Sequence, residues 1–484
     1  MFVKNSLFLI IIFILIVVII FSKKILGKSI NNHFYDDAIM FDMPKEGGNN
    51  KHVVVIGGGI SGLTAAKYLH EAQYKVTLLE KKQKLGGNND PFLYDEKYHA
   101  STIIVTLPKQ QPHYYYLAKE MGVNIEPHVL KESPGCVVID NNNNMFIKFQ
   151  SGALNILRDM YKYISIYDLY ILFKILFISF VYFYILPENK ITVYDALGKD
   201  LINSKIFVNF IMPWIGVNTW CRFNDLNHQP MHIFASFMFE YCFTLTDRIK
   251  NIETKYDGWC VLDGQIIFNL EKYLYDKITI NKNFSVNYID YVNGKYVIYN
   301  NNEKVICDKI IIATQPIQAV EILEKSVNIQ KRINPNLLSE LKKWKQMNCY
   351  TILHKDFSKI KSLPWIYITY KNKKTGLKYS INIVQPKMDK QIDEFVISYI
   401  YSDDDYEDYI KYHIDNNKIL KILRPTLPMM YIENSVNRNK IWEQIDNECN
   451  DIYFTQACKN GLQYHNNGIL SSKRVVRSLT LGHW

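Results

Sequence analysis

Residues His52–Asn88 constrain the fold more than any other part of the chain. Val53 to Ile56 is an apolar run of the length of a buried parallel strand. Gly57, Gly59 and Gly62 follow in the spacing G-x-G-x-x-G. Leu63, Ala66 and Leu69 then recur with helical period, so the glycines fall on a strand-to-helix turn. A second strand, Lys75 to Leu79, ends in Glu80. Gly57 permits the tight turn, Gly59 lets backbone approach a pyrophosphate, and Gly62 lets the helix lie close on the strand. The helix start offers unpaired N–H groups and partial positive charge to the phosphates. A carboxylate about 20 residues further on, here Glu80, suits the hydroxyls of a ribose. The stretch therefore predicts an α/β unit of the Rossmann type that binds a dinucleotide. Gly86-Gly87 behind Glu80 predicts a second close backbone approach to the same ligand.

The chain is long enough, at 484 residues, for two or three folding units, and its 48% apolar and 21% charged content is that of a globular protein. The first 28 residues read separately. Leu7 to Phe21 is unbroken Leu, Phe, Ile and Val, followed by Ser-Lys-Lys and no small-residue cleavage site, so we expect a membrane anchor. Lys23, Lys24 and Lys28 outnumber Lys4, which places the large domain in the cytosol. The eight cysteines are scattered without metal-ligand spacing, as free thiols in a reducing compartment would be, and no metal site is expected. The net charge of +10 comes without a nucleic-acid-binding motif, so the partner it favours is an anionic membrane face.

Residues 29–50 read as a polar linker. Leu169 to Leu186 is a second long apolar block. We read it as a buried helix, with a membrane-dipping or spanning helix as the alternatives its length allows. Asn293-Gly294 marks a hairpin turn between strands, one of them Val286–Tyr291. Ile310–Leu323 is a strand, a small-residue turn (Ala313-Thr314-Gln315-Pro316) and a helix. The acidic stretch Asp403, Asp404, Asp405, Glu407 and Asp408 reads as a surface loop. The chain closes as its central motif opened, with a strand at Ile452–Phe454, a turn, and a helix from near Asn467-Gly468.

The glycine motif with its Leu85-Gly86-Gly87, the Trp259–Leu274 turn-helix, the Ile310–Leu323 unit and the terminal strand-turn-helix come in an order that resembles the FAD-dependent amine-oxidase-like flavoproteins. Within these, the chain looks most like the predicted NAD/FAD-binding proteins found beside cyclopropane-fatty-acid synthases. It shares elements similar to theirs at Leu353-His354-Lys355-Asp356, Pro364-Trp365, Pro213–Trp220 and Phe454–Cys458. The resemblance implies FAD as cofactor. Gly57, Gly59, Ser61 and Gly62 would meet the pyrophosphate, Glu80 the ribose, Gly86 and Gly87 the flavin side, and the Val286 backbone the adenine. The helix near Asn467 and Gly468 would point at the flavin pyrimidine edge. It also implies a discontinuous plan, with 51–150, 251–325 and 441–484 forming the FAD-binding domain and 151–250 and 326–440 the substrate or cap domain. The chain departs from the family at Gln456, at Tyr98-His99-Ala100-Ser101, and at Asn466-Asn467, where the family carries acids.

The resulting expectation is a membrane-anchored FAD-dependent oxidoreductase acting on a small molecule, apolar or acyl in character. An amine or polyamine oxidase, and a flavin-binding scaffold that has lost catalysis, are the rival readings. An NAD-dependent dehydrogenase would not need the terminal strand-turn-helix. His465 is the candidate for proton handling, because it is the one histidine in the segment expected beside the flavin.

Overall fold

The computed structural model describes residues 41–88, 92–94, 97–99, 104–106, 111–123, 136–139, 145–149, 164–186, 190–219, 221–237, 260–262, 264–358, 365–384, 395–435, 438–448, 451–460 and 464–482. The apolar run at Leu7–Phe21, and with it the expected anchor, lies outside the described residues, as do Trp220, Trp259, Pro364 and Gly461.

In chain order, β1 (His52–Ile56) runs into α1 (Ile60–Glu71) and back to β2 (Lys75–Glu80). Then come α2 (Pro112–Glu120), the hairpin of β3 (Cys136–Ile139) and β4 (Met145–Phe149), and the long helix α3 (Ile166–Phe180). After further helices come α4 (Gln265–Leu274), β5 (Thr279–Lys282) and the antiparallel strands β6 (Tyr288–Val292), β7 (Lys295–Tyr299) and β8 (Lys304–Cys307). β9 (Lys309–Ile312) and α5 (Pro316–Lys325) complete this part. The next part holds β10 (Tyr350–His354), β11 (Trp365–Lys371), β12 (Lys378–Val384), β13 (Val396–Ile400), α6 (Asp403–Tyr412), β14 (Ile419–Leu423) and β15 (Thr426–Met429). The last elements are α7 (Arg438–Asn447), β16 (Ile452–Phe454) and α8 (His465–Leu481).

Two sheets organise the molecule. The first is parallel throughout, in the order β16-β9-β1-β2-β5. Its central strand is Val53, Val54 and Val55, all without solvent exposure, as a strand covered on both faces must be. Helices α1, α2, α4 and α8 pack one face; the β6–β8 sheet and α5 pack the other. Asn293 and Gly294 both take positive φ and join β6 to β7 by a two-residue turn, as Asn-Gly does in hairpins. The second sheet is mixed, in the order β14-β10-β13-β12-β11-β3-β4.

Several sequence expectations need correcting. Residues 136–149 fall in the second sheet, although the range 51–150 assigned them to the first; β3 pairs with β11 in parallel. Residues 41–50 are no free linker: Gly48 donates its N–H to the Ala72 carbonyl, and Arg477 donates to the Asp42 carbonyl. A Cβ on Gly48 would lie 2.5 Å from the Gln73 backbone, so the close packing requires glycine there. The acidic run at 403–408 is the start of α6 rather than a loop. Ser402 caps it by accepting from the Asp405 N–H, and three aspartates fill the first turn, where the helix dipole favours them. Val286 sits just before β6 rather than inside a strand.

The apolar block at 169–186 is buried on one side only. α3 begins with a reciprocal Ser165–Asp168 capping box and continues as a π turn to Ile185. Leu169, Leu172, Ile175 and Leu176 enter a helical core, while Tyr167 (68%), Phe177 (54%) and Ile185 (61%) stand exposed on the other side.

Candidate functional site

A cavity of about 720 Å³ opens between the two sheets, within the size range of ligand sites, roughly 300–1,000 Å³. The β1–α1 turn forms one wall. Gly57 takes φ +109°, a conformation that only glycine holds without strain. A Cβ on Gly62 would lie 1.8 Å from the Gly57 carbonyl oxygen, so this glycine is demanded by helix-on-turn packing. A Cβ on Gly59 would meet nothing nearer than Gly87 Cα at 3.8 Å, which leaves an open cradle on the cavity side. The N-cap of α1 is Gly59, which supplies no side-chain cap, so the first N–H groups of the helix keep their hydrogen-bonding capacity for a ligand.

Glu80 ends β2 beneath this turn and is buried. Its carboxylate accepts from Gly58 N–H at 2.6 Å and Lys82 N–H at 2.9 Å. Gly86 donates to the Gly58 carbonyl at 2.8 Å and bridges to Gly59, so the double glycine lies directly beside the phosphate-binding type of turn. Gly57, Gly59, Ser61, Glu80, Gly86, Gly87 and Val286 all line the cavity, together with Lys81 and Lys82.

At the far end the order of residues differs from the expectation. Asn467 and Gly468 stand behind the cavity wall; a Cβ on Gly468 would lie 2.7 Å from Ser61 Oγ, so Gly468 serves helix packing. The residues of α8 that reach the cavity are its N-cap Tyr464 and its first residue His465. The His465 ring lies 5.4 Å from Tyr114, and burial lowers its pKa to about 4, so the imidazole is neutral near pH 7. The positive end of the α8 dipole also points into this region.

Residues not singled out from the sequence complete the site. Thr351, Asn382, Tyr399 and Tyr401 line the cavity from the second sheet. The Thr426 carbonyl accepts from both Asn88 Nδ2 at 2.7 Å and Gln315 Nε2 at 2.8 Å, tying β15 to both turns of the first sheet. Gln315 could be located from its small-residue turn; the others carry no motif. Among the described residues no cluster of three or more metal-ligating side chains occurs.

The donor set fits a flavin dinucleotide. There is an uncapped helix start for a pyrophosphate and a buried acid for a ribose. The cavity-lining carbonyl oxygens of Gln111 and Gln315 are buried and have no hydrogen-bond partner among the described residues.

The fold and site together are those of a dinucleotide-binding protein built from a parallel sheet and a mixed sheet. Residues 55–119 match the family model of the NAD(P)-binding Rossmann-like domain. An L-amino-acid oxidase from Siganus canaliculatus is 32% identical over 82 residues, 17% of this chain and 16% of that protein, so the match spans about a sixth of that relative's length. Cyclohexylamine oxidase from Brevibacterium oxydans IH-35A superposes with a TM-score of 0.62 at 13% identity, over 89% of this chain and 99% of its own. A CLA-producing fatty acid isomerase from P. acnes superposes with a TM-score of 0.62 at 11% identity, over 88% and 98%. The chain shares the fold of these proteins, and its dinucleotide-binding domain together with its likeness to the amine oxidases indicates FAD as the cofactor.

Proposed function

We propose that this chain is an FAD-dependent oxidoreductase that takes a hydride from an apolar or acyl substrate held against the second sheet. The observation that carries the reading is one continuous cavity, with a glycine cradle and Glu80 on one side and the Asn382–Tyr399–Tyr401 floor on the other. When bound, FAD supplies two-electron, hydride-accepting chemistry. Gly57, Gly59, Ser61, Gly86, Gly87 and the Val286 backbone would hold and orient it, with Glu80 at its ribose. The α8 N-terminus would favour negative charge developing beside it. His465, held neutral by burial, would be the group that accepts a proton within the cavity.

The rival scaffold reading drew its force from asparagines standing where the family has acids. Asn466 turns its side chain away from the cavity wall onto α2, so this substitution does not subtract a cavity acid. The amine-oxidase reading draws support from the names of the L-amino-acid and cyclohexylamine oxidases to which the chain is similar.

Purified full-length chain should show flavin absorption near about 370 and 450 nm, the bands of the cofactor itself. Bleaching by substrate without oxygen, and recovery in air, would mark an oxidase. Protein that stays colourless after incubation with FAD would overturn the reading.

We further propose attachment to a membrane with the large domain cytosolic, through the apolar run Leu7–Phe21. The exposed aromatic face of α3 favours a second contact: Tyr167, Tyr170 and Phe177 share one side, and Lys174 lies 5.5 Å from the Tyr170 ring, as an interfacial lysine would. Co-sedimentation with anionic vesicles tests it. Retention in the supernatant after removal of the first 28 residues and substitution of Tyr167 and Phe177 by serine is the expected result.

A further inference from the structure

Strand register assembles the substrate side of the cavity. Thr351 on β10 pairs with Tyr399 on β13, and Tyr399 pairs with Asn382 on β12, so the three form one row across the sheet. Tyr350 pairs with Ile400, which sets Cys349 and Tyr401 beside each other one step further along. All five line the cavity, and Tyr464 and His465 face it from the α8 N-terminus.

At neutral pH these groups are uncharged. Burial pushes the Cys349 thiol and the Tyr401 phenol well up, and pushes the His465 imidazole down to about 4. The acids that line the cavity, Glu80 and Glu321, belong to β2 and α5 of the dinucleotide half. Among the described residues no acid lines it from the second sheet, and Arg424, next after β14, adds a positive charge to the lining. An ammonium group placed there would lose its water without gaining a counter-charge.

The wall carries groups that can donate to a ligand, the Thr351 hydroxyl and the Cys349 thiol. One acceptor stands apart. Asn382 is 5% exposed, and its Oδ1 has no hydrogen-bond partner among the described residues. A buried acceptor left so is costly, and a ligand's donor would recover that cost. A hydroxyl group matches this pattern, because it donates one hydrogen bond and accepts up to two.

We propose that the substrate is an uncharged molecule carrying a hydroxyl, that Asn382 Oδ1 accepts the hydroxyl proton in a hydrogen bond, and that this chamber selects neutral ligands over cationic ones. The proposal rests on the reading of the cavity as the site of an FAD-dependent oxidoreductase. Asn382 is then the specificity-determining residue of the second sheet.

The test uses the full-length holoprotein and three probes of one shape, benzyl alcohol, benzylamine and benzoate, titrated by calorimetry at pH 7. Benzyl alcohol should bind at least tenfold tighter than either ion. Asn382→Leu should lose at least tenfold on benzyl alcohol while keeping its flavin spectrum. Asn382→Asp should reverse the preference in favour of benzylamine. Equal or tighter binding of benzylamine by the unaltered protein overturns the proposal. So does unchanged alcohol binding by Asn382→Leu, or a failure of all three probes to bind. Loss of flavin from Asn382→Leu would assign the acceptor to the cofactor and also overturn it. Calorimetry reads probe binding whether or not flavin is present, so a colourless protein refutes the cofactor reading separately.

Discussion

The side-chain oxygen of Asn466 accepts the His113 backbone N–H at 2.8 Å, and that of Tyr114 at 3.3 Å. A residue at the start of the last helix thus caps α2, more than three hundred residues earlier in the chain. The N-cap of α2, Gln111, makes no side-chain cap of its own, so Asn466 supplies it from outside. Asn466→Ala should therefore destabilise the protein by about 1 kcal/mol, as loss of a cap does. Asn466→Asp should be tolerated, since a negative charge suits a helix start. Denaturant unfolding measures both, and flavin content should not change because Asn466 does not line the cavity.

Two glycines of one motif should fail differently. Gly62→Ala drives a methyl to 1.8 Å from the Gly57 oxygen and should yield no folded protein. Gly59→Ala meets open space and has ordinary backbone angles (φ −75°), so the protein should fold. Its methyl would occupy the cradle, and FAD affinity should drop by tenfold or more, about 1.4 kcal/mol. Circular dichroism and flavin titration separate the two outcomes.

Lys459 and Asp446 form an ion pair with both side chains 2% exposed, and Lys459 also donates to the Phe454 carbonyl at 3.0 Å. Lys459→Met strands the aspartate in the core and should cost about 3–5 kcal/mol. Adding Asp446→Leu should restore much of that loss. Thermal unfolding of the single and double variants is the measurement.

Acid should weaken the fold before the carboxylates titrate. His354 is buried, accepts from the Asp356 N–H through Nδ1 and contacts Ser398 Oγ through Nε2 at 2.7 Å. Burial lowers its pKa to about 4, below the usual value near 6.5. The unfolded chain therefore binds the proton first, and stability is full above about pH 6.5 and falls as pH drops towards about 4. His354→Gln should flatten that slope by about one proton in melting curves taken across this window.

The sequence exposes the dinucleotide half because sterics are written into its glycines. Gly57 and Gly62 stand where a Cβ could not, and β1 reads as a buried strand because it is apolar at successive positions. The cavity floor is not readable in the same way. Thr351, Asn382 and Tyr399 are distant in sequence and become neighbours only through strand register, which no local pattern specifies. The acidic run at 403–408 misleads for another reason. Charge suggests a solvated loop, while Ser402 three residues before Asp405 is the overlooked signature of a helix start. At the C-terminal turn the helix is legible but its phase is not, so Asn467 and Gly468 stand in for the residues that reach the cavity, Tyr464 and His465.

The Thr426 carbonyl has a wider meaning than one shared acceptor. Asn88 leaves the double-glycine turn and Gln315 leaves the β9–α5 turn, and both end on the same oxygen of β15. The separation between the two halves of the cavity is thereby gauged from two sides at a single point. A shift of β15 would strain both hydrogen bonds at once, so the spacing across the cavity is held by two turns rather than one.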